Sequence, residues 1–184
     1  MAIKNKTRYA LLGVLAIKPS SGYDIKKFCD RTISHFWNEN FGHIYPVLSQ
    51  LEKEELIRIL DTGDSSRKKI YQITEQGKEV LKDWMLEATE IQPSRHELLL
   101  KFSFGSNLTP ELMIDMLETS KVQYQQKLHL LKTLEEEYHA NSCINKNVNF
   151  IYLSSSFRYV LIEIEGILKW IDETIEKFSF TLNK

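Results

Sequence analysis

The side chains that could carry out a reaction fall into no working pattern. The five histidines (His35, His43, His96, His129, His139) and two cysteines (Cys29, Cys143) have no ligand-type spacing, so no metal centre is expected. There is no phosphate-cradling glycine loop and no glycine-flanked serine nucleophile. Neither catalysis nor a cofactor is therefore expected. What stands out is binding chemistry. "FGHIYPVLSQLEKEELI", residues 41–57, sets His43, Ile44, Tyr45, Ser49 and Gln50 around one helix start, and "SRKK" gathers Arg67, Lys68 and Lys69. A glutamine amide suits an adenine edge, and clustered cations suit phosphate.

Pro46 locates the front of the helix that carries the first group. The first N–H groups of a helix have no partner within it, so a proline there forfeits nothing. The helix must then begin around Gly42 to Tyr45, with Asn40 or Gly42 in the irregular approach. Its bulk spans Pro46 to Glu55, with Ile44, Val47, Leu48 and Leu51 inward and Ser49, Gln50, Lys53 and Glu54 on the polar face. The residues ahead of the proline (His43, Ile44, Tyr45) sit at the tip, where a recognition helix meets base edges.

The surrounding elements read as helix, helix, helix, hairpin, helix within about 90 residues. The first helix spans Thr7 to Ile17 and stops before Pro19, with Leu11, Leu12, Leu15 and Ala16 inward. A second starts near Ser21, capped by Ser20 or Ser21, with Tyr23, Ile25 and Phe28 inward. Tyr23, Lys26 and Lys27 on this helix are also contact candidates. Ile57–Leu60 and Ile70–Ile73 alternate as two strands around the polar loop "DTGDSSRKK". Thr74 caps a fourth helix, whose Val80, Leu81, Trp84 and Met85 face inward. The expected fold is mainly α: a winged helix-turn-helix of three helices and a two-stranded β wing over residues 1–90, then a C-terminal α-helical dimerisation domain over 91–184.

The second half opens with a short helix, Glu97 to Phe104, ended by Gly105. Thr109 and Pro110 then start a long one, with Met113, Leu117, Tyr124, Leu128, Leu131, Leu134 and Tyr138 at helical spacing. The last helix runs from about Asn149 to Phe178. Its Leu153, Phe157, Val160, Ile164, Ile167, Ile171, Ile175 and Phe178, widened by Ile151, Leu161 and Leu168, make a near-heptad seam. At 1.5 Å per residue it is ~45 Å long. Such a seam either packs within its own subunit or pairs with a second copy, and its length favours a homodimer. Among the aromatics of this half, Phe102, Phe104, Tyr124, Tyr138, Tyr152, Phe157 and Tyr159 either line an effector pocket or fill the core.

Charge divides the same way. Residues 1–50 hold seven Lys/Arg and three acids, net +4, while the whole chain is -1, which leaves -5 for the remainder. Two distant cysteines and no stretch of roughly 20 apolar residues suggest a reduced, cytoplasmic protein with no membrane partner. The short apolar run from Tyr9 to Ile17 reads as a core helix rather than a signal sequence.

The segments "LLGVLAIKPSSGYDIKK", "FWNENFGHIYPVLSQLEKEELI" and "RKKIYQITEQGKEVLKDW" resemble the PadR-type (phenolic-acid repressor) family of transcription regulators. The pieces that carry the likeness are Gly22-Tyr23, Phe36-Trp37, Ile44-Tyr45-Pro46 and Tyr71-Gln72-Ile73-Thr74 with Gly77. The ending "FRYVLIEIEGILKWIDETIEKF" is similar to the C-terminal region of the longer, virulence-activator-like members. Glu55 departs from the family pattern, which has glycine there. The resemblance implies a homodimer on a palindromic double-stranded DNA operator, usually a repressor and in some members released by a small aromatic effector. A winged-helix module that binds protein and never touches DNA is the competing expectation. Each contact residue has its own alternative. Tyr45 packs behind Trp37, His43, Ser49 and the Arg67–Lys69 cations are merely solvated, and Phe36 and Trp37 serve core and hinge.

Overall fold

The computed structural model describes residues 6–37, 44–61, 68–90, 95–140 and 149–182. The chain divides into two compact units, Met1–Glu90 and Ile91–Lys184. In the first, helices α1 (Thr7–Ile17), α2 (Gly22–Arg31), α3 (Ile44–Lys53) and α4 (Glu75–Leu86) surround strands β1 (Ser20–Ser21), β2 (Ile57–Leu60) and β3 (Ile70–Ile73). The two-stranded wing, β2 and β3, is joined by β1 into a three-stranded sheet. The sheet runs β1-β3-β2, all antiparallel, with Ser20 opposite Tyr71 and Ile57 opposite Ile73. Ser20 and Ser21 are polar and carry no strand signal of their own. They pair because β3 offers an open edge beside them.

Leu11, Leu12 and Leu15 of α1, Ile25 and Cys29 of α2, and Ile44, Leu48 and Leu51 of α3 meet Leu56, Ile57, Tyr71 and Ile73 in one core. Trp37, Val80 and Leu81 pack against it from the side. Tyr9 stacks on Trp84 at 4.4 Å between ring centroids and joins α4 to α1. Three expected inward residues are exposed instead: Ala16, Tyr23 and Met85. Val14, Gly22 and Cys29 take up inward space on α1 and α2. Met85 lies in the final turn of α4, beyond the Tyr9–Trp84 stack. Phe36, expected in the core, is 47% exposed.

The turn from α3 into β2 is a Schellman cap. Glu55 N–H donates to the Glu52 carbonyl and Leu56 N–H to the Leu51 carbonyl, both at 3.0 Å. Glu55 occupies the left-handed position, φ 58°, which explains why glycine suits this place. Thr74 closes the same turn from the other side. Its N–H donates to the Leu56 carbonyl, and its hydroxyl lies 2.8 Å from the Glu55 carbonyl and 3.0 Å from that of Leu56. The same oxygen accepts from Gly77 N–H and caps α4. A Cβ on Gly77 would sit 2.1 Å from the Leu56 carbonyl oxygen, so only glycine permits this approach.

In the second unit, α5 (Glu97–Ser103) precedes α6 (Pro110–Ala140) and α7 (Asn149–Leu182). Helices α6 and α7 run antiparallel. Lys121 pairs with Asp172 at 2.8 Å, Lys132 with Glu165 at 3.7 Å, and Tyr138 stacks on Phe150 at 5.4 Å. Much of the heptad seam packs here. Phe157, Val160, Leu161 and Ile164 pack with Leu131, flanked by Leu168, while Ile171 packs with Met113 and Leu117, flanked by Ile167 and Ile175. Of these eight, Phe157, Val160, Leu161, Ile164 and Ile171 are buried against α6 of the same chain, whereas Ile167, Leu168 and Ile175 are only partly buried, and Ile151 is exposed. A periodic apolar row shows that a partner exists, not which helix supplies it.

Replacing Glu55 by glycine should relieve the left-handed strain, less the extra freedom glycine gives the unfolded chain. The expected gain is about 0.5–1 kcal/mol, read as a higher urea midpoint at unchanged slope.

Candidate nucleic-acid interface

One surface of the first unit brings together the front of α2, the outer face of α3 and the base of the hairpin. Helix α2 starts with a capping box. Ser21 Oγ accepts from Asp24 N–H at 3.2 Å, and Asp24 lies 3.4 Å from the Ser21 N–H and 2.6 Å from the Ser21 hydroxyl. Lys68, just ahead of β3, pairs with the same Asp24 at 3.0 Å. The Ser21 hydroxyl, and then the Lys68 ammonium, hold the Asp24 carboxyl below its ordinary range. The residue just ahead of β3 is thereby paired with the start of α2.

Tyr45 joins α3 to the same place. A Cβ on Gly22 would lie 2.7 Å from Tyr45 Cε1, so the ring rests directly over the glycine. The ring is nonetheless 62% exposed, and Tyr23 beside it is 64% exposed. Tyr45 therefore stands at the surface and not in the core. Below it, burial pushes the Tyr71 hydroxyl's pKa up, helped by nearby Glu52 and Tyr45.

Ser49, Gln50 and Lys53 continue the exposed side of α3. Ile44 does not belong with them. It is 1% exposed and faces the core, so it cannot meet a base edge. Its neighbour in sequence, Tyr45, takes the outward direction instead. Gln50 is exposed but engaged: its Nε2 donates to Glu54 Oε1 at 2.8 Å. Glu54 also receives the Arg8 guanidinium. The Gln50 amide first, and Arg8 after it, keep the Glu54 carboxyl below its ordinary range. Sequence reasoning placed Glu54 on the polar face but missed Arg8 as its partner, since 46 residues separate them. Only the i, i+4 spacing of Gln50 and Glu54 signalled part of this arrangement.

Of the cations, Lys26 pairs with Asp30 within α2. Lys27 and Lys69 are exposed, and neither has an ion pair among the described residues. His43 and Arg67 lie outside the described residues. Burial pushes the Cys29 thiol up to about 12, which leaves it as core filler. Of the aromatics suggested for an effector pocket, Phe157 is core, and Phe102, Tyr124 and Tyr138 pack within the second unit. Phe104, Tyr152 and Tyr159 are exposed. Among the described residues no group of three His, Cys, Asp or Glu is placed to hold a metal, and no helix is long and apolar enough to cross a membrane.

An exposed polar helix, backed by two others and flanked by a small antiparallel sheet, is the arrangement of winged helix-turn-helix regulators. The profile of the "Transcriptional regulator PadR-like family" matches residues 11–83, and that of "Virulence activator alpha C-term" matches 94–179. The negative transcriptional regulator PadR of Bacillus subtilis is 32% identical over 138 residues, 73% of this chain and 76% of that protein. The crystal structure of B. subtilis PadR in complex with operator DNA is similar at a TM-score of 0.81 and 26% identity, covering 94% of this chain and 98% of that one. That of B. subtilis PadR in complex with p-coumaric acid gives 0.80 and 25% over the same shares. The chain belongs to the PadR-like family of transcriptional regulators, a family of regulators and not of enzymes.

Gly22→Ala tests the seat of Tyr45. The added methyl should displace the ring, seen as shifted Tyr45 ring-proton resonances. Stability should change by less than about 1 kcal/mol, because the residue is already helical and the ring has solvent to move into.

Proposed function

We propose that this protein is a cytoplasmic, homodimeric repressor that binds a palindromic DNA operator and is released by a small aromatic effector. The observation that carries the reading is the exposed row Tyr45, Ser49 and Gln50 on α3, beside Tyr23, Lys26 and Lys27 of α2 and Lys68 and Lys69 at the hairpin base. The α3 side chains meet base edges in the major groove, and the lysines meet flanking phosphate. His43 and Arg67 extend the two groups by their places in the sequence. The polar outer face of α3 counts against a protein-binding module, which needs an apolar one. The operator complex of the B. subtilis relative supports the DNA reading. Its p-coumaric acid complex supports an aromatic effector.

Two copies are needed to meet two half-sites. With most of the heptad seam packed on α6, pairing falls to the outward side of α7. Ile151, Tyr152, Tyr159 and Ile162 there are each more than half exposed.

Footprinting on the promoter of its own transcription unit should give two symmetric protected blocks, roughly 34–36 Å apart or a multiple of that. Lys27→Glu or Lys69→Glu should weaken binding to all sequences alike. Each should lower the salt slope by roughly 0.9 per lost phosphate contact. No binding to duplex DNA at low salt overturns the proposal.

The two faces of α7 separate by mutation. Leu161→Ala should cost about 2–5 kcal/mol of stability with the assembly state unchanged. Ile162→Glu should leave melting nearly unaltered and reduce the sedimentation mass to that of one chain. A wild-type protein that sediments as a monomer at micromolar concentration would sink the dimer.

A further inference from the structure

The geometry around Gln50 bears on which base it accepts, and the inference rests on α3 being the reading helix. A glutamine amide has two donor hydrogens and one acceptor oxygen. Unrestrained, it can turn either to present one donor and one acceptor, the pattern adenine matches through N6–H and N7, or two donors, the pattern guanine takes at O6 and N7. Here one amide hydrogen is already given to Glu54 Oε1 at 2.8 Å. Glu54 in turn is held through Oε2 by Arg8. Arg8 lies 5.7 Å from the centre of the Tyr9 ring, which stacks on Trp84. The acceptor that holds Gln50 is therefore held on its other oxygen by a residue of α1, which restricts the directions its carboxylate can take. At neutral pH an ionised carboxylate only accepts, so Glu54 cannot reverse the direction of the bond.

We infer that Glu54, held by Arg8, is a specificity-positioning residue. By taking one amide hydrogen of Gln50 it leaves one donor and one acceptor toward the groove, which selects adenine and refuses guanine. Neither Glu54 nor Arg8 needs to touch DNA for this to hold.

The isosteric Glu54→Gln gives the sharpest test. Arg8 has only donors, so the new amide must turn its oxygen to Arg8 and its NH2 to Gln50. Gln50 then accepts with its oxygen and offers both hydrogens to the groove. Full-length wild type, Gln50→Ala, Glu54→Ala and Glu54→Gln would each be used to select from a randomised duplex pool, with thermal melting as the control for folding. Wild type should enrich adenine at one base pair per half-site, and Gln50→Ala should lose that preference. Glu54→Ala should relax it about tenfold at that pair alone, and Glu54→Gln should turn it toward guanine by a similar factor. Glu54→Gln that keeps wild-type adenine preference overturns the inference, as does Glu54→Ala that loosens every position alike. If wild type enriches a site indifferent to Gln50→Ala, the DNA reading stands and this inference falls. If wild type enriches no sequence, both fall.

Discussion

The reading head depends on one close approach of backbone to backbone. The carbonyls of Glu55 and Leu56, at the end of α3, are gripped by the N–H and hydroxyl of Thr74, and Thr74 is itself the cap of α4. Gly77 makes room for it. Four segments (α3, β2, β3, α4) thus meet within a few residues. None can shift without leaving a buried carbonyl or a helix end without its partner, each a loss of about 1 kcal/mol or more. The exposed face of α3 is accurate because its far end is tied here, while its near end leans on Gly22 through Tyr45.

The second unit solves a different problem by simpler means. Two long helices have no sheet to bury them, so each becomes the other's core. Charged pairs along their margins, Lys121 with Asp172 and Lys132 with Glu165, match the antiparallel register. Pairs as exposed as these contribute little stability, typically under about 1 kcal/mol each. The apolar rows hold the helices, and the charges discriminate against a slipped register.

Much of this was legible in the sequence because it was locally encoded. Helix α1 runs from Thr7 to Ile17 as its apolar spacing and Pro19 require. Thr74 caps α4 as its position demands, and Pro110 is the first residue of α6. Pro46 falls within the first turn of α3 as described from Ile44. Glu55, where related sequences have glycine, takes the left-handed backbone that glycine would adopt freely. The failures share one cause, which is that periodicity ranks faces but does not name what covers them. Tyr23 and Met85 are large and apolar yet point outward. Much of the α7 seam packs on α6 of its own chain. Ser20 and Ser21 became a strand only through a pairing some 50 residues away. Arg8 entered the polar face of α3 by a contact no local pattern encodes.

That short strand has a mechanical consequence. Ser21 is at once the last residue of the sheet's edge and the cap that starts α2. No linking residue separates the two elements, and Lys68 ahead of β3 pairs with Asp24 at the same helix start. The edge strand and α2 are therefore joined without a connecting residue, so a displacement of one bears directly on the other.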